Sequence, residues 1–215
     1  ELISNEIPPL KTSDSGLKAM SWMEEFRISH LPIVNHQDLL GVISEKDIFN
    51  LNSPEEPLGN HWLSLYKPYV RNHQHIYEII KLVADLNLSL VPVLDEQDKY
   101  LGVITLPDLV KNLAELSSIK DNGAILVLEI NERDYNLSQI AQIIESNDCR
   151  ILSVYVNSIP DSTKMDVILK LNRTDLRAVL ATFNRYNYIV KASYNEIGND
   201  DMNERFDLLM NYLNM

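Results

Sequence analysis

Apolar positions along this chain gather into short runs that come twice. Leu31-Pro32-Ile33-Val34 is followed, past the polar turn Asn35-His36-Gln37-Asp38, by Gly41-Val42-Ile43-Ser44-Glu45-Lys46-Asp47. The pattern returns as Val91-Pro92-Val93-Leu94, the turn Asp95-Glu96-Gln97-Asp98, and Gly102-Val103-Ile104-Thr105-Leu106-Pro107-Asp108. The prolines recur at an offset of 60 and the glycines at 61, so one residue is inserted between them. Each copy predicts strand, turn, strand and then a helix; in the first copy the strands fall near 31–34 and 40–43, and Ser44 opens a helix near 45–51. Acidic residues early in that helix suit its dipole. An amphipathic helix precedes each copy. Leu17, Met20 and Met23, with Ala19 and Phe26, form the first stripe, and Ile76, Ile79, Ile80 and Val83 form the second at i, i+3, i+4 and i+7. Trp62, Leu63 and Leu65 are expected to resume packing before the second copy, and Leu109, Val110 and Leu113 to carry its closing helix. A unit of this kind cannot bury its apolar face alone, so the two copies are expected to pack on each other.

Polar residues cluster at Ser117–Gly123, and a different order follows: strand near 124–130, helix 137–146, strand 150–156, strand 164–171, helix 175–184, strand 187–193. Leu137, Ile140, Ala141 and Ile144 stripe the first of these helices; Leu176, Val179, Leu180 and Phe183 stripe the second. The order β-α-β-β-α-β is the ferredoxin-like split arrangement. Met202, Phe206, Leu209, Met210 and Leu213 share one face and predict a last helix. The expected fold is α+β, with repeats at 1–55 and 56–116, a linker at 117–122, a βαββαβ domain at 123–198 and a C-terminal helix at 199–215.

The pattern Gly-apolar-Ile-(Ser/Thr)-x-x-Asp after a (Leu/Val)-Pro-apolar strand resembles the cystathionine-beta-synthase (CBS) domain, present as a tandem pair over roughly residues 1 to 116. The following domain resembles the ACT type, a small regulatory module. A CBS pair followed by an ACT-like domain resembles the acetoin-utilisation regulatory proteins of bacteria. The CBS resemblance implies adenosine-type ligands such as AMP, ATP or S-adenosylmethionine, held in sites built from both copies. One site would combine Ser44 and Asp47 with Asn72, His73 and the run Leu90, Val91, Pro92. The other would combine Thr105 and Asp108 with Thr12, Ser13 and the run His30, Leu31, Pro32. The chemistry is consistent with this, because a carboxylate accepts two hydrogen bonds from a vicinal diol and a helix start favours anions. The same Asp can also simply cap its own helix. Leu90 offers a phosphate no charge, whereas His30 can, so the site of Asp108 and His30 is the favoured one. In the ACT-like domain an effector pocket would lie at Asp134, Tyr135 and Asn136. Family members that bind amino acids carry Gly where Tyr135 stands, so packing and dimerisation are the expected role there.

Composition narrows the reading. A net charge of −12 without a Lys/Arg cluster argues against nucleic acid. No apolar run nears the roughly 20 residues of a membrane span, and no basic-then-apolar leader opens the chain. The single cysteine, Cys149, has no internal disulfide partner, which fits a reducing compartment; the expectation is a soluble cytoplasmic protein. His73-Gln74-His75 puts two imidazoles on one face of a strand but lacks the three or four ligands a metal needs. Glu24-Glu25 and Glu55-Glu56 have no partner across a cleft, and no nucleophile elbow or Gly-rich phosphate loop occurs among only six glycines. No catalytic residue, cofactor or metal is expected. The sequence points to a non-enzymatic sensor that forms a homodimer and acts on a protein partner; a ligand-free scaffold and an amino-acid sensor are the alternatives.

Overall fold

In the computed structural model of the chain, residues 2–61 and 65–195 are described. Trp62, Leu63 and the helix expected at 199–215 lie outside them. The chain divides into two compact units, Glu1–Leu113 and Ala114–Met215.

The first unit holds the two repeats. The first copy is helix α1 (Gly16–Phe26), strands β1 (His30–Asn35) and β2 (Asp38–Ser44), and the short helix α2 (Glu45–Phe49). The second is strand β3 (Val70–Arg71), helix α3 (Ile76–Leu86), strands β4 (Leu90–Leu94) and β5 (Tyr100–Thr105), and helix α4 (Leu106–Leu116). The copies match in detail. Helices α1 and α3 each stop on a left-handed residue, Arg27 and Asn87, and Ile28 and Leu88 each return an N–H to the carbonyl five residues back. Both hairpins pair the apolar-Pro run with the Gly-Val-Ile run, Ile33 opposite Gly41 and Val93 opposite Gly102, with an irregularity one residue on. Leu10, in a segment with no assigned strand, lies parallel to Ile33 as Val70 lies parallel to Val93.

The repeats are interleaved. Ser4, ahead of the first copy, exchanges two backbone hydrogen bonds with Val103 of the second at 2.8 and 3.0 Å. Tyr66, ahead of the second copy, takes the N–H of Val42 in the first at 2.8 Å. This crossing explains the repeated glycine. A Cβ on Gly102 would meet the Ser4 carbonyl at 2.7 Å, and one on Gly41 would meet the Leu65 Cβ at 2.7 Å. Gly102 also adopts φ +150°, which side-chain-bearing residues avoid.

Leu90 and Val103 of the second copy are buried in the core of the first, among Leu10, Leu31, Ile33 and Ile43. The helix stripes differ from expectation. On α1 the buried residues are Gly16, Ala19 and Met23, while Leu17 is 56% exposed; on α4 only Leu109 is buried and Val110 is 59% exposed. A helix resting on one hairpin face needs only a narrow stripe.

The second unit is β6 (Ala124–Asn131), α5 (Leu137–Glu145), β7 (Ile151–Ser158), β8 (Lys164–Leu171), α6 (Arg177–Arg185) and β9 (Ile189–Asn195). Its four strands pair antiparallel in the order β7-β8-β6-β9, the ferredoxin-like arrangement. Alternate residues of β6 and β8 face the helices: Leu126, Leu128, Val167 and Leu169 close on Ile140, Ile144, Val179 and Phe183, with Cys149 buried among them. On α5 it is Ile143 that is buried, whereas Leu137 is 42% exposed. Among the described residues no helix is long and apolar enough to cross a membrane.

Candidate functional site

Each repeat presents a hydroxyl–carboxylate pair where its second hairpin strand turns into a helix. Ser44 donates to Asp47 Oδ2 through its backbone N–H at 2.8 Å and its Oγ at 2.6 Å, and Asp47 returns its N–H to Ser44 Oγ at 3.2 Å. Thr105 Oγ1 donates to Asp108 Oδ2 at 2.5 Å, and the Asp108 N–H returns to it at 3.3 Å. Asp47 therefore closes a capping box with Ser44, as the alternative reading required, whereas Asp108 accepts only the Thr105 hydroxyl. These bonds use only Oδ2 in each copy. The Oδ1 of Asp47 takes no hydrogen bond from a described residue, and that of Asp108 faces Lys111 Nζ at 3.9 Å. An ionised carboxylate can only accept, so the open Oδ1 suits a hydroxyl donor.

A matched pair of turns leads into α1 and α3. Lys11 gives its N–H to Asp14 Oδ2 at 2.8 Å and receives the Asp14 N–H at 3.0 Å; Arg71 and Gln74 repeat this at 2.7 and 3.1 Å. Thr12 and Ser13, and likewise Asn72 and His73, are the exposed tips of these turns. Among the described residues no hydrogen bond or ion pair joins Thr12 or Ser13 to Asp108, or Asn72 or His73 to Asp47. The Thr12 carbonyl instead takes the Gly59 N–H at 2.8 Å.

The strand residues have a different place. Leu31, Pro32, Leu90, Val91 and Pro92 are all buried, so their side chains pack and only their backbone could meet a ligand. His30 faces Ser44 across the β1–β2 ladder and feels the charge of Asp47, not that of Asp108 with which the resemblance grouped it. Its Nδ1 lies 3.1 Å from Ser89 Oγ and accepts the Ser89 N–H at 3.2 Å, while Ser89 Oγ accepts the Ser29 N–H at 3.0 Å. His30 is thus a clasp between repeats. Burial holds its pKa below the ordinary histidine value, against an opposing pull from Asp47.

Sequence reasoning missed the cations. Lys111 lies three residues past Asp108 on α4, a spacing that places them on one face; the equivalent residue past Asp47 is Asn50. Arg71 is committed elsewhere, to the Asp95 carbonyl and Asp98 Oδ1, both at 2.7 Å.

In the second unit, Asp134 lines a polar hollow of about 290 Å³ with Glu129, Gln139, Tyr186 and Tyr188. Tyr188 donates to Gln139 Oε1 at 2.9 Å, and its pKa is raised by burial and by Asp134. Tyr135 is half-buried against the core, and Asn136 caps α5 by accepting the Gln139 N–H at 3.2 Å. Among the described residues no group of three or more His, Cys, Asp or Glu is placed to hold a metal, His73 and His75 included.

Residues 1–53 and 66–115 match the family model of the CBS domain. The first unit carries a CBS domain pair. The chain is 24% identical over 131 residues to inosine-5'-monophosphate dehydrogenase of Methanocaldococcus jannaschii, spanning 59% of this chain and 26% of that protein. The Bacillus subtilis inosine-5'-monophosphate dehydrogenase is 23% identical over 130 residues, spanning 58% and 27%. The chain thus covers about a quarter of the length of these relatives. Among solved structures, a CBS domain pair/ACT domain protein of Thermotoga maritima matches at 19% identity and a TM-score of 0.47, covering 53% of this chain and 93% of that one. A CBSX2 structure in complex with AMP matches at 19% identity and 0.46, covering 53% and 93%.

Proposed function

We propose that the CBS pair is the sensing part of a non-enzymatic regulatory protein of the cytoplasm and that it binds an adenosine-containing ligand: AMP, ATP or S-adenosylmethionine. The observation that carries this reading is the duplicated hydroxyl–carboxylate pair, Ser44/Asp47 and Thr105/Asp108, with one carboxylate oxygen left open in each copy. That oxygen can take a ribose hydroxyl, and the exposed turn tips, Thr12/Ser13 and Asn72/His73, supply further polar groups. The ferredoxin-like unit acts as an ACT-like domain, supporting a homodimer and passing the change to a protein partner. Binding can bias such a protein only through unequal affinity for its two states.

Thermal melting with AMP, ADP, ATP, S-adenosylmethionine and NAD(H) tests this on the wild type and on Asp108→Ala. A ligand at a hundred times its dissociation constant adds about 2.7 kcal/mol to the folded state. The expected result is a shift in the wild type that Asp108→Ala loses. No shift with any of these ligands leaves the pair as a scaffold.

The hollow beside Asp134 favours a second reading, amino-acid sensing by the ACT-like unit. A panel of amino acids that raises the melting temperature of the wild type but not of Asp134→Ala supports it.

A further inference from the structure

We propose that the outer face of the ferredoxin-like sheet docks onto the same face of a second copy of this chain. This rests on the homodimer of the reading above and gives that dimer a surface. Helices α5 and α6 close one side of the sheet, and a sheet covered on one side ordinarily turns polar residues outward. Here the register turns apolar residues outward as well. Val127 stands between Ile168 and Ala192, and Ile125 stands opposite Tyr194. Their sequence neighbours, Leu126, Leu128, Val167 and Leu169, are the ones buried under the helices. Ile125 is 36% exposed, Ile189 57% and Tyr194 61%. The β7 edge of this face is covered by the chain itself: Ser153 Oγ donates to the Ser117 carbonyl at 3.0 Å, and the Tyr155 hydroxyl donates to Ser117 Oγ. The apolar part left open lies over β8, β6 and β9.

Charge selects the occupant. At a net charge of −12, two copies of this chain repel each other over most of their surface. This face is an exception. Beside its apolar rows Glu129 and Asp166 stand opposite each other across the ladder, with Lys164 on Glu129 Oε1 and Lys191 on Asp166 Oδ2, the latter at 2.6 Å. The two ion pairs cancel, and Lys170 is set opposite Ile125 on the same face. The pairing is also unfinished in the single chain, because Asp166 Oδ1 is buried and has no hydrogen-bond partner among the described residues. A two-fold axis sets such a patch against itself, apolar rows on apolar rows and lysines toward carboxylates. A strongly acidic or basic partner would meet like charge in one half of each ion pair, whereas a second copy brings both signs.

Photocrosslinking of the full chain, with sedimentation equilibrium alongside, tests the surface. The variant Tyr194→benzoylphenylalanine replaces one exposed aromatic ring by another that bonds to whatever it touches under light. Mixing isotope-labelled with unlabelled chains separates adducts between copies from adducts within one. The expected product is a covalent dimer that joins position 194 to residues 125–127 or 189–194 of the other copy. Adding Ile189→Asp, which sets an unpaired carboxylate in the contact at an exposed position, should cut the yield at least about tenfold, while thermal melts show each chain still folded. An adduct confined to one chain, residues 199–215 included, overturns the proposal, as does a yield that Ile189→Asp leaves unmoved. A dimer by sedimentation that forms no adduct from position 194 overturns this surface and leaves the homodimer reading in place. A monomer at every concentration overturns both.

Discussion

A proton added to His30 would land on a nitrogen that already accepts the Ser89 N–H and lies 3.1 Å from its hydroxyl. An imidazolium has no lone pair to accept with, so protonation breaks the clasp between the repeats. The sign follows from linkage. With the folded pKa below the ordinary value of about 6.5, the unfolded chain binds more protons, so this contribution is present above that pH and fades as pH falls through the folded value. Between pH 7.5 and 5.5 the wild type should therefore lose more melting temperature than His30→Gln does. Parallel slopes for the two proteins would remove His30 from this role. Residue identity alone suggested a phosphate ligand here. Burial and Ser89, both tertiary facts, make it a neutral strut.

The hairpins and their helices were legible because their period is strict: Ile33 opposite Gly41 and Val93 opposite Gly102 follow from one pattern read twice. The flanking segments were not legible, since Ser4, Leu10 and Tyr66 join their sheets through backbone hydrogen bonds that no side-chain pattern announces. Helix faces were half legible. Leu17, Val110 and Leu137 belong to the apolar stripes by spacing, but packing against a single sheet face leaves the edges of a stripe exposed. The repeated glycine could be seen but not explained until its neighbours were in place. Gly102→Ala should destabilise the CBS pair by roughly 2–3 kcal/mol, from strain at φ +150° and from the 2.7 Å approach to Ser4. Amide exchange at residues 3–5 should quicken along with that at Val103. Unchanged exchange at the N-terminal segment would show that the crossing does not depend on this glycine.

At the scale of the molecule, the ferredoxin-like core and the cores of the CBS pair have no residue in common. Calorimetry should accordingly resolve two transitions, and an adenosine ligand should move only the one belonging to the pair. A single transition that moves as a whole would mean the units melt together. Of the candidate site, the sequence made Asp47 and Asp108 legible because they lie within the repeat. It did not make their inequality legible, because Lys111 and Asn50 gain meaning only once the carboxylate oxygens and the commitments of Arg71 are known. The interleaving of the repeats also bears on how the protein is made. During synthesis the first copy emerges with the place beside Gly41 empty until Tyr66 has left the ribosome, and Ser4 waits for Val103, about a hundred residues later. The pair cannot mature one repeat at a time. Its earliest residues are among the last to be locked in place, and a nascent chain halted between the copies holds an unfilled strand edge.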